Sequence, residues 1–134
     1  MNGATEPTRW TTGLRTSLRG DWRTPADLYD RLVTKAGRFD VSDRHGGTFD
    51  ALSMNWPAHW FCNPPYGTEI RRWVACMPSA GPGVALLPAR PDTRWFHESV
   101  YPFARLEFIR GRLHFDGGGP APFPSMLAWY AGET

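Results

Sequence analysis

Two adjacent prolines, Pro64 and Pro65, stand directly behind the apolar run Trp60-Phe61-Cys62 and dictate where that run stops. Proline locks φ and has no amide hydrogen to give to a ladder, so a central strand cannot continue through the pair. The run therefore reads as a short buried strand ending in a turn, which Gly67 closes. Asn63 and Tyr66 bracket the prolines. An amide, two prolines and an aromatic ring at a strand's end make a rigid acceptor cluster beside a flat stacking surface. Such a cluster suits holding a planar exocyclic amine while its nitrogen attacks an electrophile, and the matching chemistry is methyl transfer to an amino group of a base. A plain turn is the competing reading, because Asn and Pro are common turn residues. The tyrosine, the preceding strand and the following capped helix favour the functional one.

Around this point the chain alternates strand and helix signals. Thr24 suits an N-cap with Pro25 at the first helical position; Leu28, Leu32 and Val33 form one apolar stripe, and Gly37 is a stop. Residues 38–41 read as a strand, whereas 42–56 are polar and glycine-bearing, with too few apolar positions for a long helix. After Gly67, Thr68 can cap a helix whose buried face is Ile70, Trp73, Val74 and Met77, ended by Pro78. Residues 83–87 are apolar throughout, as in a central parallel strand covered on both faces. Asp92 or Thr93 caps a short helix through Phe96 and Val100. Residues 106–109 and 113–115 are expected to pair across the Arg110-Gly111-Arg112 turn, 117–120 to be a mobile loop, and 125–130 to be a final strand. The sum is an α/β domain over 21–134, with a mostly parallel sheet and an antiparallel C-terminal hairpin, behind a flexible polar arm at 1–20.

Composition removes several function classes. A chain of 134 residues is one domain. No apolar run approaches membrane length, and residues 1–9 lack the basic-then-apolar pattern of a signal peptide, so a cytoplasmic protein without membrane contact is expected. Cys62 and Cys76 are too few and too separated for a zinc site or disulfide framework. A net charge of +2 does not by itself demand nucleic acid. The kind of cation is more telling, since Lys35 is the only lysine and all other cations are arginines. Arginine grips phosphate bidentately and stacks on bases. A GC-rich genome, which also enriches Gly and Pro, explains the same bias.

An adenine amino group is a poor nucleophile because its lone pair is delocalised into the ring. If the Asn63 side-chain oxygen and the Pro64 carbonyl accept both N–H bonds, the nitrogen is drawn toward tetrahedral geometry and gains electron density as the methyl arrives. Tyr66 can stack on the base. Within a duplex the amine is hidden, so the base must be flipped out. Phe115, Phe123 and Trp95 are candidate walls for the pocket, with core packing as their alternative.

Several ordered blocks accompany the tetrad: Asp21-Trp22-Arg23-Thr24-Pro25, Phe39-Asp40, Phe61-Cys62-Asn63-Pro64-Pro65-Tyr66-Gly67, Ala85-Leu86-Leu87-Pro88-Ala89-Arg90, Asp92-Thr93-Arg94-Trp95-Phe96-His97, Arg110-Gly111-Arg112-Leu113 and Ala121-Pro122-Phe123-Pro124-Ser125. Together they resemble the phage-type Dam DNA N6-adenine methyltransferases. The resemblance implies a reduced Rossmann-like fold using S-adenosylmethionine, and a site-specific enzyme methylating adenine N6 in double-stranded DNA. It implies catalytic roles for Asn63, Pro64, Pro65 and Tyr66. Cofactor contacts are implied for Trp22, Thr24 and Pro25, with Thr24-Pro25 beside the methionine end, and for an acidic residue after the first strand. Asp40 stands there, with Asp43 and Asp50 as rivals and a solvated loop acid as the bland alternative for each. The chain departs from the family where Phe39-Asp40-Val41-Ser42-Asp43-Arg44-His45 replaces the usual Phe-Asp-x-Asp and Cys-Ala stretch, and where the insert before the tetrad is short. No Gly-x-Gly-x-x-Gly is present, which disfavours a dinucleotide site.

Arg90, Arg94, Arg110 and Arg112 are the expected DNA-phosphate contacts, against the alternative of solubilising charges paired to Asp92 and Asp116. His97 and His114 could be imagined as bases, but structural or surface roles are expected for both, because the chemistry requires no general base; no metal site is expected. The chain leaves no room for a separate target-recognition domain, so loops, the arm or a second subunit must read sequence, with relaxed specificity. Two rival readings are a protein methyltransferase acting on a glutamine side-chain amide, and a DNA-binding relative without turnover.

Overall fold

The computed structural model describes residues 22–42, 51–115 and 119–134. The expected arm at 1–20 and half of the expected loop at 117–120 lie outside them. Five strands form one sheet: β1 (Phe39–Asp40), β2 (Trp60–Cys62), β3 (Gly83–Pro88), β4 (Ala104–Phe108) and β5 (Ser125–Tyr130), in the spatial order β1-β2-β3-β5-β4. β1, β2 and β3 are parallel, whereas β5 runs antiparallel to both β3 and β4. The fold is thus α/β with a mixed sheet. β3 is central and buried throughout as its composition predicts, but it is parallel to its neighbour on one side only.

The expected hairpin of 106–109 with 113–115 does not form. β4 pairs instead with β5, and His114 makes only an isolated bridge to Pro120. The reason is the row of six buried residues in β5, which offers β4 a longer apolar surface than 113–115 can. The intervening segment closes on itself, with the Ala121 N–H on Leu113 O at 2.8 Å and the Arg112 guanidinium on Ala121 O at 3.3 Å.

The two faces of the sheet follow from register. Trp60, Gly83, Tyr130 and Ala104 lie in one row, so their side chains share a face. Gly83 is required there: a Cβ would overlap the indole of Trp60, which lies across it to within 5.7 Å of the Tyr130 ring. Trp56 packs on Trp60 at 5.0 Å and on Trp73 at 6.4 Å, its Nε1 donating to Ala51 O. The polar reading of 42–56 overlooked this anchor. Helix Ile70–Cys76 presents Ile70, Trp73 and Val74 inward, with Met77 following, as its spacing predicts. Thr68 does not cap it; a 3-10 turn over Gly67–Glu69 leads in, and Pro78 lies inside a second such turn, Met77–Ser79. Thr93 does cap the next helical turn, accepting the Phe96 N–H at 3.3 Å.

On the opposite face, helix Ala26–Tyr29 continues as a π-helical turn, Asp30–Thr34, and buries Leu28, Leu32 and Val33. Tyr29 meets Phe61 edge-to-face at 6.0 Å. Gly37, at φ 72°, ends the helix as expected by donating to Val33 O. Thr24 is not the cap: the helix enters from Pro25 with no side-chain cap bond, and the threonine hydroxyl is used elsewhere. Arg38 ties this helix to the chain's end, donating to Leu32 O, Glu133 and Thr134 O while lying over the Trp129 ring at 5.3 Å. No helix among the described residues is long and apolar enough to cross a membrane.

Gly83→Ala should lower unfolding free energy by about 3 kcal/mol, because the rigid indole of Trp60 cannot yield. Gly119→Ala, where an added Cβ meets nothing within 4 Å, serves as the control and should stay near wild type. Urea denaturation midpoints of the two variants decide this; equal midpoints would contradict the assigned close approach.

A candidate active site at the carboxyl edge of the parallel strands

β1, β2 and β3 end at one edge of the sheet, where ligands of open α/β sheets bind. Asn63 follows β2 directly and is fully buried. Its backbone N–H donates to Ser42 Oγ at 2.8 Å; its side-chain Nδ2 donates to Trp22 O at 2.6 Å and to Thr24 Oγ1 at 3.0 Å. A carbonyl oxygen can only accept, so the bond to Trp22 fixes which end of the amide is nitrogen. Oδ1 consequently occupies the other arm of the planar amide, also sealed from solvent.

The network extends to Asp40 at the end of β1. Its Oδ1 accepts the Ser42 N–H at 2.8 Å and its Oδ2 accepts the Tyr29 hydroxyl at 2.9 Å. Burial, and then the hydrogen bond and negative charge of Asp40, push the Tyr29 phenol up to about 12. Each carboxylate oxygen keeps a further acceptor site, so Asp40 can still receive a hydroxyl or ammonium group. Thr24, Asp40 and Asn63, all expected from the sequence, are joined here, Asp40 through Ser42 and Thr24 directly to the Asn63 amide. Ser42 and Tyr29 were missed. Only the spacing of Ser42, two residues beyond Asp40, hinted at an Asx-type bond.

The aromatic surroundings are closed. Tyr66 is 6% exposed, donates its hydroxyl to Leu86 O at 3.0 Å, and meets Phe123 at 5.5 Å and Phe115 at 6.5 Å, all edge-on. Trp22 packs on the same two phenylalanines at 5.2 and 5.3 Å. The expected walls Phe115 and Phe123 therefore do gather at Tyr66, but they cover the surface expected to be open for stacking. Trp95 is half-buried against the core. Pro64 is buried and Pro65 half-buried, as is Pro25 at the start of the first helix. Asp43 and Asp50 lie outside the described residues.

Because β3 and β4 both oppose β5, they point the same way, and Arg90, Arg110 and Arg112 follow them at the tetrad's edge. All three are exposed. Arg90 is 3.4 Å from Asp92, and that hydrogen bond is the main cause holding the Asp92 carboxyl below its usual range. Arg94 is directed to Glu98 at 3.1 Å, one helical turn on. The His97 ring meets Pro91 O at 2.7 Å, a turn-closing contact, and His114 lies in the bridge to Pro120. An open depression of about 390 Å³ between Met54, Trp56 and Cys76 touches none of these groups.

A phenol raised in the folded state contributes stability that is complete below about pH 10 and is lost as pH climbs through about 12. Tyr29→Phe should therefore flatten the fall in stability between pH 10 and 12, measured by urea unfolding at stepped pH. An unchanged slope would remove Tyr29 from the alkaline transition. The chain matches no family model, no curated protein and no solved structure at a significant level.

Proposed function

We propose that this chain is a DNA methyltransferase that moves a methyl group from S-adenosylmethionine to the N6 amine of adenine, on a reduced Rossmann-like fold. One observation carries the reading: a single hydrogen-bond network gathers Thr24, Asp40 and Asn63 at the carboxyl edge of the parallel strands. The donor set suits the cofactor. Asp40 has acceptor capacity left for its ammonium or ribose hydroxyls, and Trp22 and Thr24 bond Asn63, with Pro25 next in the chain, where the reacting end must lie. S-adenosylmethionine, when bound, supplies an electrophilic methyl group on sulfur.

The residues' own work is to hold the amine. Asn63 Oδ1 and the Pro64 carbonyl accept its two hydrogens, concentrating the nitrogen lone pair toward the methyl carbon. The cofactor would supply the methyl group and keep the bonding electrons on its sulfur, and the amine's excess proton would leave to water. The fixed amide orientation and the two prolines hold these acceptors without reorganisation, which favours the transition state. Admission of a flipped adenine requires Phe115 and Phe123 to turn away from Tyr66, whose ring then stacks on the base. Arg90, Arg110 and Arg112 contact DNA phosphates, with Arg94 joining them; Arg90 and Arg94 do so at the cost of their bonds to Asp92 and Glu98. A second reading, a DNA-binding relative without turnover, draws on the complete burial of Asn63 and the cover over Tyr66.

Transfer of labelled methyl to unmethylated DNA separates the two. Asn63→Ala should slow turnover about a hundredfold or more, equivalent to roughly 3 kcal/mol of barrier. Tyr66→Phe keeps the ring, loses the bond to Leu86 O, and should retain most activity. No transfer by the wild type, with DNA binding retained, selects the second reading. Wild-type rates in a folded Asn63→Ala variant take the residue out of the mechanism.

A further inference from the structure

β4 is the outer strand of the sheet, and among the described residues only β5 pairs with it. The ladder shows which backbone groups are committed. The Ile109 N–H donates to Ser125 O at 3.0 Å, and hydrogen-bonded positions alternate along an antiparallel pair. Glu107 and Arg105 therefore exchange bonds with their register partners Leu127 and Trp129. The N–H and C=O groups of Ala104, Leu106 and Phe108 point away from the sheet.

Such an edge is usually blunted by cover, a bulge or proline. This one ends in Phe108, 64% exposed, and begins beside Phe103, 53% exposed. Arg105 and Glu107 stand on the face opposite Phe108, both held by Trp129: the guanidinium lies 5.3 Å from the ring, and the indole Nε1 donates to the carboxylate at 3.1 Å. The order Arg105-Leu106-Glu107 is self-complementary in charge when it is paired with itself in reverse.

We propose that two copies of this chain pair antiparallel along β4, across a twofold axis at Leu106, to form one continuous sheet. Leu106 then exchanges both bonds with the partner subunit's Leu106, and Ala104 does so with the partner subunit's Phe108. Arg105 faces the partner subunit's Glu107 at the closer, non-hydrogen-bonded position, with Cα atoms about 4.5 Å apart. The same contact occurs twice, as an isologous interface requires. Sliding the pairing by two residues preserves the outward backbone bonds but sets Arg105 against itself, or Glu107 against itself, which is unfavourable. Charge therefore selects both the partner and the register. This inference is independent of the proposed methyl transfer.

Sedimentation equilibrium of the full chain tests it. The wild type should be a dimer at about 0.1 mM, dissociating on dilution toward the micromolar range. Arg105→Glu and Glu107→Arg should each raise the dissociation constant about tenfold or more, and the double variant Arg105→Glu/Glu107→Arg should regain association. Circular dichroism identifies any variant that fails to fold. For that case Leu106→Cys on a Cys76→Ser background gives a second readout, since a disulfide should join the two copies across the axis under mild oxidation. A monomeric wild type at about 0.1 mM, or a dimer indifferent to both single reversals, overturns the proposal.

Discussion

The amide of Asn63 binds together parts of the chain that are otherwise far apart. Its nitrogen reaches back to Trp22 O and Thr24, 41 and 39 residues earlier, while its backbone N–H takes Ser42 Oγ at the end of the neighbouring strand. Leaving a buried polar group without partners costs about 1–3 kcal/mol, so these bonds are obligatory wherever Asn63 is buried. They position the entry of the first helix, the end of β1 and the end of β2 relative to one another. Thr24 is diverted from capping for the same reason. A helix start can be satisfied by water, whereas the buried amide has no solvent within reach.

The two faces of the sheet are built on different physical terms. On one, Trp56, Trp60, Trp73 and Tyr130 interlock over a glycine, and Tyr130 donates its hydroxyl to Ser99 O. That layer is shape-limited. At the carboxyl edge, Trp22, Tyr66, Phe115 and Phe123 meet edge-on, held chiefly by ring contacts that can be re-formed in other arrangements. The contrast places a rigid scaffold behind a repackable aromatic cover, which suits the proposed exchange of those rings for a base. It also explains why the tetrad is closed: an aromatic surface of this size left open to water would be unfavourable.

Local pattern made much of the fold legible. Apolar runs identified β2, β3 and β5, and spacing identified the inward residues of both main helices, since periodicity reports directly which side chains must leave water. Prolines and Gly37 located the ends. Pairing was less accessible. Residues 106–109 read as a strand from their own composition, but nothing in them distinguishes β5 from 113–115 as partner; the larger buried row of β5 decides that. Trp56 was hidden in a polar stretch, because one aromatic residue carries no period. Tyr29 carried no signal of its own, and only the fold sets its hydroxyl against Asp40.

From sequence alone came most of the elements, their order and the strand-end position of Asn63, Pro64, Pro65 and Tyr66, all properties of neighbouring residues and of the few conformations proline allows. Tertiary structure alone decided that β5 enters between β3 and β4, that Ser42 bridges Asp40 to Asn63, and that Phe115 and Phe123 cover Tyr66. These depend on contacts between segments distant along the chain. Such contacts are selected by the burial and hydrogen bonding of the whole assembly, which no local run of residues encodes.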